Sequence, residues 1–227
     1  MPYQFIHIGK TGGTLIREVL RSLPEEHRLR FRFHSHDVTL PQALETRPEM
    51  PVFFSVRHPE ALFVSGFNSR RRQGGPTYDQ PWNPRERVAF SLFRTPNELA
   101  EALSAADPHV RACAQFSMLT INHVRKGLRW YLHGIPILER HRDQIAVVLL
   151  QESLEPDLQA FAERIGVPLE AAEIQPAERL HAAMAEDEQE LSATGLANVR
   201  EWYRPDREIY DWCVAFHDRA VAGQTAT

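Results

Sequence analysis

The chain has 227 residues, 43% of them hydrophobic and 25% charged, and carries a net charge of −4. That balance belongs to a water-soluble globular chain long enough to build one core without metal or disulfide staples, and it excludes collagenous and disordered classes. No apolar run approaches the roughly 18 residues of a membrane span, mild acidity disfavours non-specific binding to nucleic acid, and two cysteines, Cys113 and Cys213, make no disulfide framework.

The N-terminus shows neither a basic n-region nor a long h-region, so no secretory leader is expected and a cytoplasmic location is. Of 26 basic residues only Lys10 and Lys126 are lysines; the rest are arginines. High-GC coding accounts for such a bias, yet it leaves a lysine at position 10, where the chemistry below places it.

Tyr3 to Ile8 reads as a buried strand, short and rich in β-branched and aromatic residues. Gly9 to Thr14 breaks it, and Leu15 to Leu23 carries apolar residues at helical spacing until Pro24. A second strand is expected over Leu29 to Phe33, ending in His34-Ser35-His36, and a third over Pro51 to Arg57. Pro59 marks a helix start, with helix through Arg71. Residues 72–87, with two Gly and three Pro, show no period and read as a long loop; residues 85–142 read as mostly helical, with breaks at Pro96, Pro108 and Gly134-Ile135-Pro136. Gln144 to Gln151 is a central strand, followed by a helix over Pro156 to Ile165 that stops at Gly166. Residues 168–190 are acidic and weakly patterned, Leu191 to Tyr203 and Asp206 to Phe216 read as amphipathic helices, and the tail from Ala220 to Thr227 is expected to fray.

Continuously apolar strands alternating with helices imply a parallel sheet covered on both faces, whose ligands bind at the carboxyl ends of its strands. The unusual residues fall at those ends: Gly9 to Thr14 after the first strand, His34 and His36 after the second, Arg57 after the third. A strand-to-helix turn needs only the glycines. Adding Lys10, Thr11 and Thr14 makes an anion cradle, in which glycine-freed N–H groups and a helix dipole are joined by a mobile cation and hydroxyls. It is not a Walker A loop, because Lys10 precedes the glycine pair, so a magnesium-dependent NTPase is disfavoured. Arg57 and, eight residues on, Ser65 form either a second phosphate-binding pair or a surface arginine and a helix serine.

These segments resemble a known family. Phe5-Ile6-His7-Ile8-Gly9-Lys10-Thr11-Gly12-Gly13-Thr14 is similar to the 5′-phosphosulfate loop of sulfotransferases that use PAPS (3′-phosphoadenosine 5′-phosphosulfate), closest to the carbohydrate group that includes the heparan sulfate 2-O- and 6-O-sulfotransferases. Val56-Arg57-His58-Pro59 through Ser65-Gly66-Phe67 resembles that family's 3′-phosphate motif, and Val147 to Leu154 and Tyr203 to Tyr210 also look familial. The likeness covers the first 67 residues and the last third of the chain, and fades between about 70 and 140. Three positions depart from the family pattern: Gly9 stands where Pro is usual, Leu15 where Ser is common, and His58 where Asp is common.

The resemblance implies an α/β protein with a three-layer, P-loop-like nucleotide-binding fold, a central parallel sheet and a helical insertion, forming one domain over residues 1–227 with about 68–140 facing the acceptor. It implies transfer of a sulfuryl group to a hydroxyl of a carbohydrate, glycolipid or small metabolite. PAPS would be held by Gly9, Lys10, Thr11, Gly12, Gly13, Thr14 and Leu15 at one end and by Arg57 and Ser65 at the other. Lys10 would neutralise the charge that develops on the departing nucleotide, and no metal is required, since a sulfuryl group carries less charge than a phosphoryl group. His36, or failing that His34, is the expected general base. A non-catalytic module holding PAPS or 3′,5′-ADP is the alternative, and a phosphotransferase a more distant one.

Several other residues have two readings each. Arg70-Arg71-Arg72 is an anion contact or a solvated helix end; Trp82, Trp130 and Tyr131 stack on a ligand or fill a core; Arg125-Lys126-Gly127 closes on the nucleotide or does not. Asp37 orients a histidine or caps the next helix.

Overall fold

A computed structural model of the chain describes residues 1–76, 78–169 and 190–224. The expectations for residues 170–189 and for the last three residues of the tail lie outside those described. The protein is α/β, with a four-stranded, all-parallel sheet flanked by helices. Its residues fall into two compact units. The first gathers 1–57, the described residues of 128–169 and those from 208 onward; the second gathers the described residues of 58–127 and of 190–207.

The first unit holds the sheet: β1 (Tyr3–Ile6), β2 (Phe31–Phe33), β3 (Val52–Val56) and β4 (Ile145–Leu150), in the order β2-β1-β3-β4. Phe5 lies level with Phe33 on one side and Phe53 on the other, and Phe54 with Val148. Because side chains alternate across a strand, Tyr3, Phe5, Phe31, Phe33 and Phe53 share one face. Phe161 of helix α11 (Leu154–Arg164) covers it, 5.0 Å from Phe53 and 5.4 Å from Tyr3 between ring centroids. Arg21 of α1 (Gly13–Ser22) lies over the Phe33 ring. On the opposite face Gln4 donates to the carbonyls of Arg47 and Met50. That fastens β1 to the end of α3 (Leu40–Thr46), whose N-terminus is capped reciprocally by Thr39 and Gln42. Asp37 therefore does not cap this helix.

β1 stops at Ile6, two residues short of the expected strand, because its ladder with β3 ends at Ile6 and Phe54; a bond from the Ile8 N–H to the Ile6 carbonyl (3.1 Å) then turns the chain. β4 ends in a turn fixed by Asp157, whose Oδ2 accepts from the Leu150 N–H (2.8 Å) and the Ser153 hydroxyl (3.0 Å). The helix α13 (Arg204–Gln224) begins two residues before the expected Asp206, with Pro205 in its first turn, and runs beyond Phe216 as far as Gln224.

On that helix His217 meets the other oxygen of Asp157 through Nε2 at 3.0 Å and Asp218 through Nδ1 at 3.2 Å. Burial pulls the His217 imidazole down, but the two carboxylates outweigh it and hold the group above its ordinary 6.5. A raised folded-state value means that the contribution is complete below 6.5 and fades as pH rises through the folded value. His217→Gln should therefore lower the melting temperature by an amount worth about 1–2 kcal/mol near pH 6, and by progressively less in alkaline buffer. Melting curves of both proteins across that range check this; a difference that stays constant with pH would sink it.

The second unit is helical: α4 (Pro59–Arg71), α5 (Pro84–Leu92), α6 (Pro96–Ala102), α7 (Pro108–Thr120), α8 (Asn122–Arg125) and α12 (Ala193–Trp202). The prolines read as breaks are helix starts. Asn83, Thr95 and Asp107 each cap the helix that the next proline opens, and Asn83 and Thr95 form reciprocal boxes with Glu86 and Glu98. Phe63, Phe67, Phe90, Leu99, Met118 and Val199 lie at the centre of its core. In the first unit α9 (Leu128–Leu132) and α10 (Ile135–Arg140) complete the helical stretch expected over 85–142. No helix among the described residues is long and apolar enough to cross a membrane.

Candidate functional site

From β1 the chain runs to β2 on one side of the sheet, and from β3 it runs to β4 on the other, so the carboxyl ends of β1 and β3 diverge from a topological switch point. Open parallel sheets bind ligands in the crevice this leaves. The loop after β1 carries Gly9 to Gly13, and the residue after β3 is Arg57. Both belong to the first unit.

The loop has an unusual backbone. Lys10 adopts a φ of 67° and Gly12 of 83°. A left-handed conformation at a residue with a Cβ costs on the order of 1 kcal/mol or more, and such strain collects at functional sites. Gly12 precedes α1 and supplies no side-chain cap, so the N–H groups of Gly13, Thr14 and Leu15 reach the first turn uncapped, which suits an anion. Both glycines are required by close packing as well. A Cβ on Gly12 would strike the Leu154 side chain, and one on Gly13 would strike the imidazole of His7.

The two threonines of the loop differ. Thr11 is buried, and its hydroxyl donates to the Ile8 carbonyl (3.0 Å) while lying 2.8 Å from Ser55 Oγ. With its one proton committed to Ile8, Thr11 accepts from Ser55, so its side chain ties the loop to β3 and only its backbone faces outward chemistry. Thr14 and Lys10 are half-buried at the loop surface.

Arg57 is also half-buried, and its Nε is fully enclosed with no hydrogen-bond partner among the described residues. Burial pushes the guanidinium below its ordinary value, with the carboxylate of Glu152 acting in the other direction. A cation that has lost water and gained no direct bond at Nε is poised for an anion. Ser65 lies on α4 in the second unit, half-buried.

The two histidines after β2 have separate environments. His34 is buried, and its Nε2 lies 2.9 Å from Gln4 Oε1. Because the Gln4 amide nitrogen donates to Arg47 and Met50, its oxygen must accept from His34. His34 thus binds β2 to β1, and burial first, then Arg32, lowers its pKa. His36 turns to the other side and places its ring against His7, with centroids 3.8 Å apart and planes at 39°. His7 belongs to the loop motif quoted above but draws no separate attention in the sequence, where it reads as one more residue of a buried strand. No local signal marks it, because the turn already accounts for a glycine at position 13.

The remaining candidates have varied surroundings. Arg70 is neither an anion contact nor a solvated helix end: it is fully buried, with Nε and Nη2 donating to the two oxygens of Glu86 at 2.8 Å each. Trp82 donates to the Arg70 carbonyl and stacks on Phe90, and Tyr131 is buried with Trp130 at its edge. Lys126 is buried and Arg125 lies at the surface beside Asn122. Both cysteines are free, and burial pushes the Cys213 thiol far up. Among the described residues no three His, Cys, Asp or Glu side chains come together as metal ligands.

Comparison with known proteins finds no matching family model, no matching curated protein and no matching solved structure.

Proposed function

We propose that the protein is a PAPS-dependent sulfotransferase acting on a hydroxyl of a carbohydrate, glycolipid or small metabolite, on a P-loop-like nucleotide-binding scaffold. The observation that carries this reading is the pairing, at one switch point, of an uncapped glycine loop with an arginine whose buried Nε has no hydrogen-bond partner among the described residues. Two anion sites at the mouths of adjacent strands suit a nucleotide phosphorylated at both ends. The residues fit such a donor: Gly12 and Gly13 let the loop pack closely on Leu154 and His7, and Arg57, next after β3, is partly desolvated.

PAPS would supply the sulfuryl group, its S–O bond to the 5′-phosphate breaking as the acceptor oxygen bonds to sulfur and 3′,5′-ADP departs. The N–H groups of Gly13, Thr14 and Leu15 would hold the 5′-phosphate. Lys10 would neutralise the charge growing on the bridging oxygen, a contribution made mainly in the transition state. His36 would take the acceptor's proton, since His34 is engaged with Gln4. Arg57 would bind the 3′-phosphate.

A thermal-shift titration with 3′,5′-ADP, 5′-ADP and Mg-ATP tests the reading. A ligand at a hundred times its Kd stabilises by about 2.7 kcal/mol; the expected result is a rise with 3′,5′-ADP in the absence of magnesium. A rise with Mg-ATP alone would replace this reading with a phosphotransferase. His36→Ala should keep the 3′,5′-ADP shift and lower the release of 3′,5′-ADP from PAPS by roughly 10²- to 10⁴-fold. Turnover that survives this substitution removes His36 from the chemistry.

A further inference from the structure

We infer that His7 is a positioning residue for His36, and that Gly13 makes the seat in which it does so. The inference rests on the sulfotransferase reading for its catalytic consequence, and on the structure alone for the contact. His36 follows β2 in a turn, on no regular element, and is only partly buried. A histidine so placed has several rotamers open to it, and a general base works only from one of them. Its ring packs at the end of a row of rings that runs along one face of the sheet. Phe53 lies 5.1 Å from Phe5, Phe5 lies 5.6 Å from His7, and His7 lies 3.8 Å from His36, between centroids.

His7 is the buried member of the pair and His36 the partly exposed one. It is 4% exposed, and its ring edge fills the space where a side chain at residue 13 would begin. The same glycine opens α1 and offers its N–H to the anion cradle. One buried imidazole therefore stands between the loop that holds the donor and the ring that serves as base, and it sets the distance between them. This role is distinct from the chemistry: His7 lies behind the loop and acts through His36.

The test uses the full-length protein with its histidines isotopically labelled, and three variants: His7→Leu, His7→Phe and Gly13→Ala. Aromatic stacking shifts the ring protons of His36 upfield, and His36→Gln identifies their signals. The expected result is that His7→Leu and Gly13→Ala both lose that shift, whereas His7→Phe, which keeps a ring in the seat, retains it. Release of 3′,5′-ADP from PAPS should fall roughly ten- to a hundredfold in His7→Leu, with the affinity for 3′,5′-ADP within about threefold of wild type, and His7→Phe should recover most of the loss. Rescue by a ring without nitrogens would show that His7 acts by stacking and not by proton transfer, and a general loss of folding would lower turnover and nucleotide affinity together.

Identical His36 signals in the wild type and His7→Leu overturn the inference. So does full turnover in His7→Leu. If His7→Leu fails to fold, the wild-type spectrum decides, because His36 ring protons at unshifted positions would show that no stack exists in solution. If the wild type releases no 3′,5′-ADP from PAPS, the sulfotransferase reading fails, and the ring signals alone decide whether His7 positions His36.

Discussion

Arg57→Met should remove most of the stabilisation by 3′,5′-ADP while leaving the unliganded protein as stable as before, or more so. The two halves of this result have one cause. The guanidinium is held below its ordinary value by burial, and its enclosed Nε makes no hydrogen bond among the described residues. Without ligand the side chain is a desolvation cost, which a thioether of similar length does not incur. With ligand it supplies charge-assisted hydrogen bonds worth about 2–3 kcal/mol, so affinity should drop roughly 30- to 150-fold. Glu152, which faces Arg57 electrostatically, is exposed and loses little when the cation goes. Melting curves with and without 3′,5′-ADP measure both halves. A variant that loses unliganded stability and keeps the nucleotide shift would make Arg57 a structural residue.

The largest effect on stability is expected at Arg70. Its side chain is 1% exposed and that of Glu86 is 2% exposed, so neither charge has water to return to when the other is removed. Arg70→Met should cost about 3–5 kcal/mol, since it leaves a carboxylate buried and unneutralised; for a chain of this size that is roughly 6–20 °C in melting temperature. Glu86 also accepts the N–H groups of Asn122 and Asn83, joining the start of α8 and the cap of α5 to the same carboxylate. A double variant, Arg70→Met with Glu86→Gln, keeps an acceptor for those donors without the stranded charge and should recover a good part of the loss. Burial raises the Glu86 pKa, but Arg70 and the two N–H groups outweigh it and hold the group below 4.5. The pair's contribution is then complete above 4.5 and disappears as pH falls through the depressed folded value. Denaturant titrations of the three proteins at neutral and acid pH would show this. Equal stability of Arg70→Met and wild type would contradict the account.

The elements that carry the candidate site were legible because each rests on a local pattern. Val52 to Val56 and Ile145 to Leu150 are nearly all apolar and short, which only a strand buried on both faces explains. Gly12 and Gly13 announce the turn into α1. What was not legible depends on partners distant in sequence. Nothing local separates His34 from His36, yet Gln4 claims one and His7 the other. Thr11 reads as a ligand donor until Ser55, in β3, is seen beside it. Arg70 stands in a run of three arginines and reads as a basic helix end. Only α5, entering with Glu86, makes it the buried one of the three. Asp37 looks like the cap of α3 because it is acidic, whereas Thr39 has the matching Gln42 three residues on.

The order of the strands also bears on how the chain is made. β3 receives its outer neighbour, β4, only after roughly ninety intervening residues, most of which belong to the second unit. At ribosomal rates that interval lasts roughly 5 to 20 seconds. Throughout it the nascent chain has three strands and an unpaired edge of Val52, Phe53, Phe54, Ser55 and Val56, every one buried in the finished protein. Such an edge is a template for pairing with another chain. The helical unit has α4 to α8 in sequence before β4 emerges, and it receives α12 only after the sheet is complete.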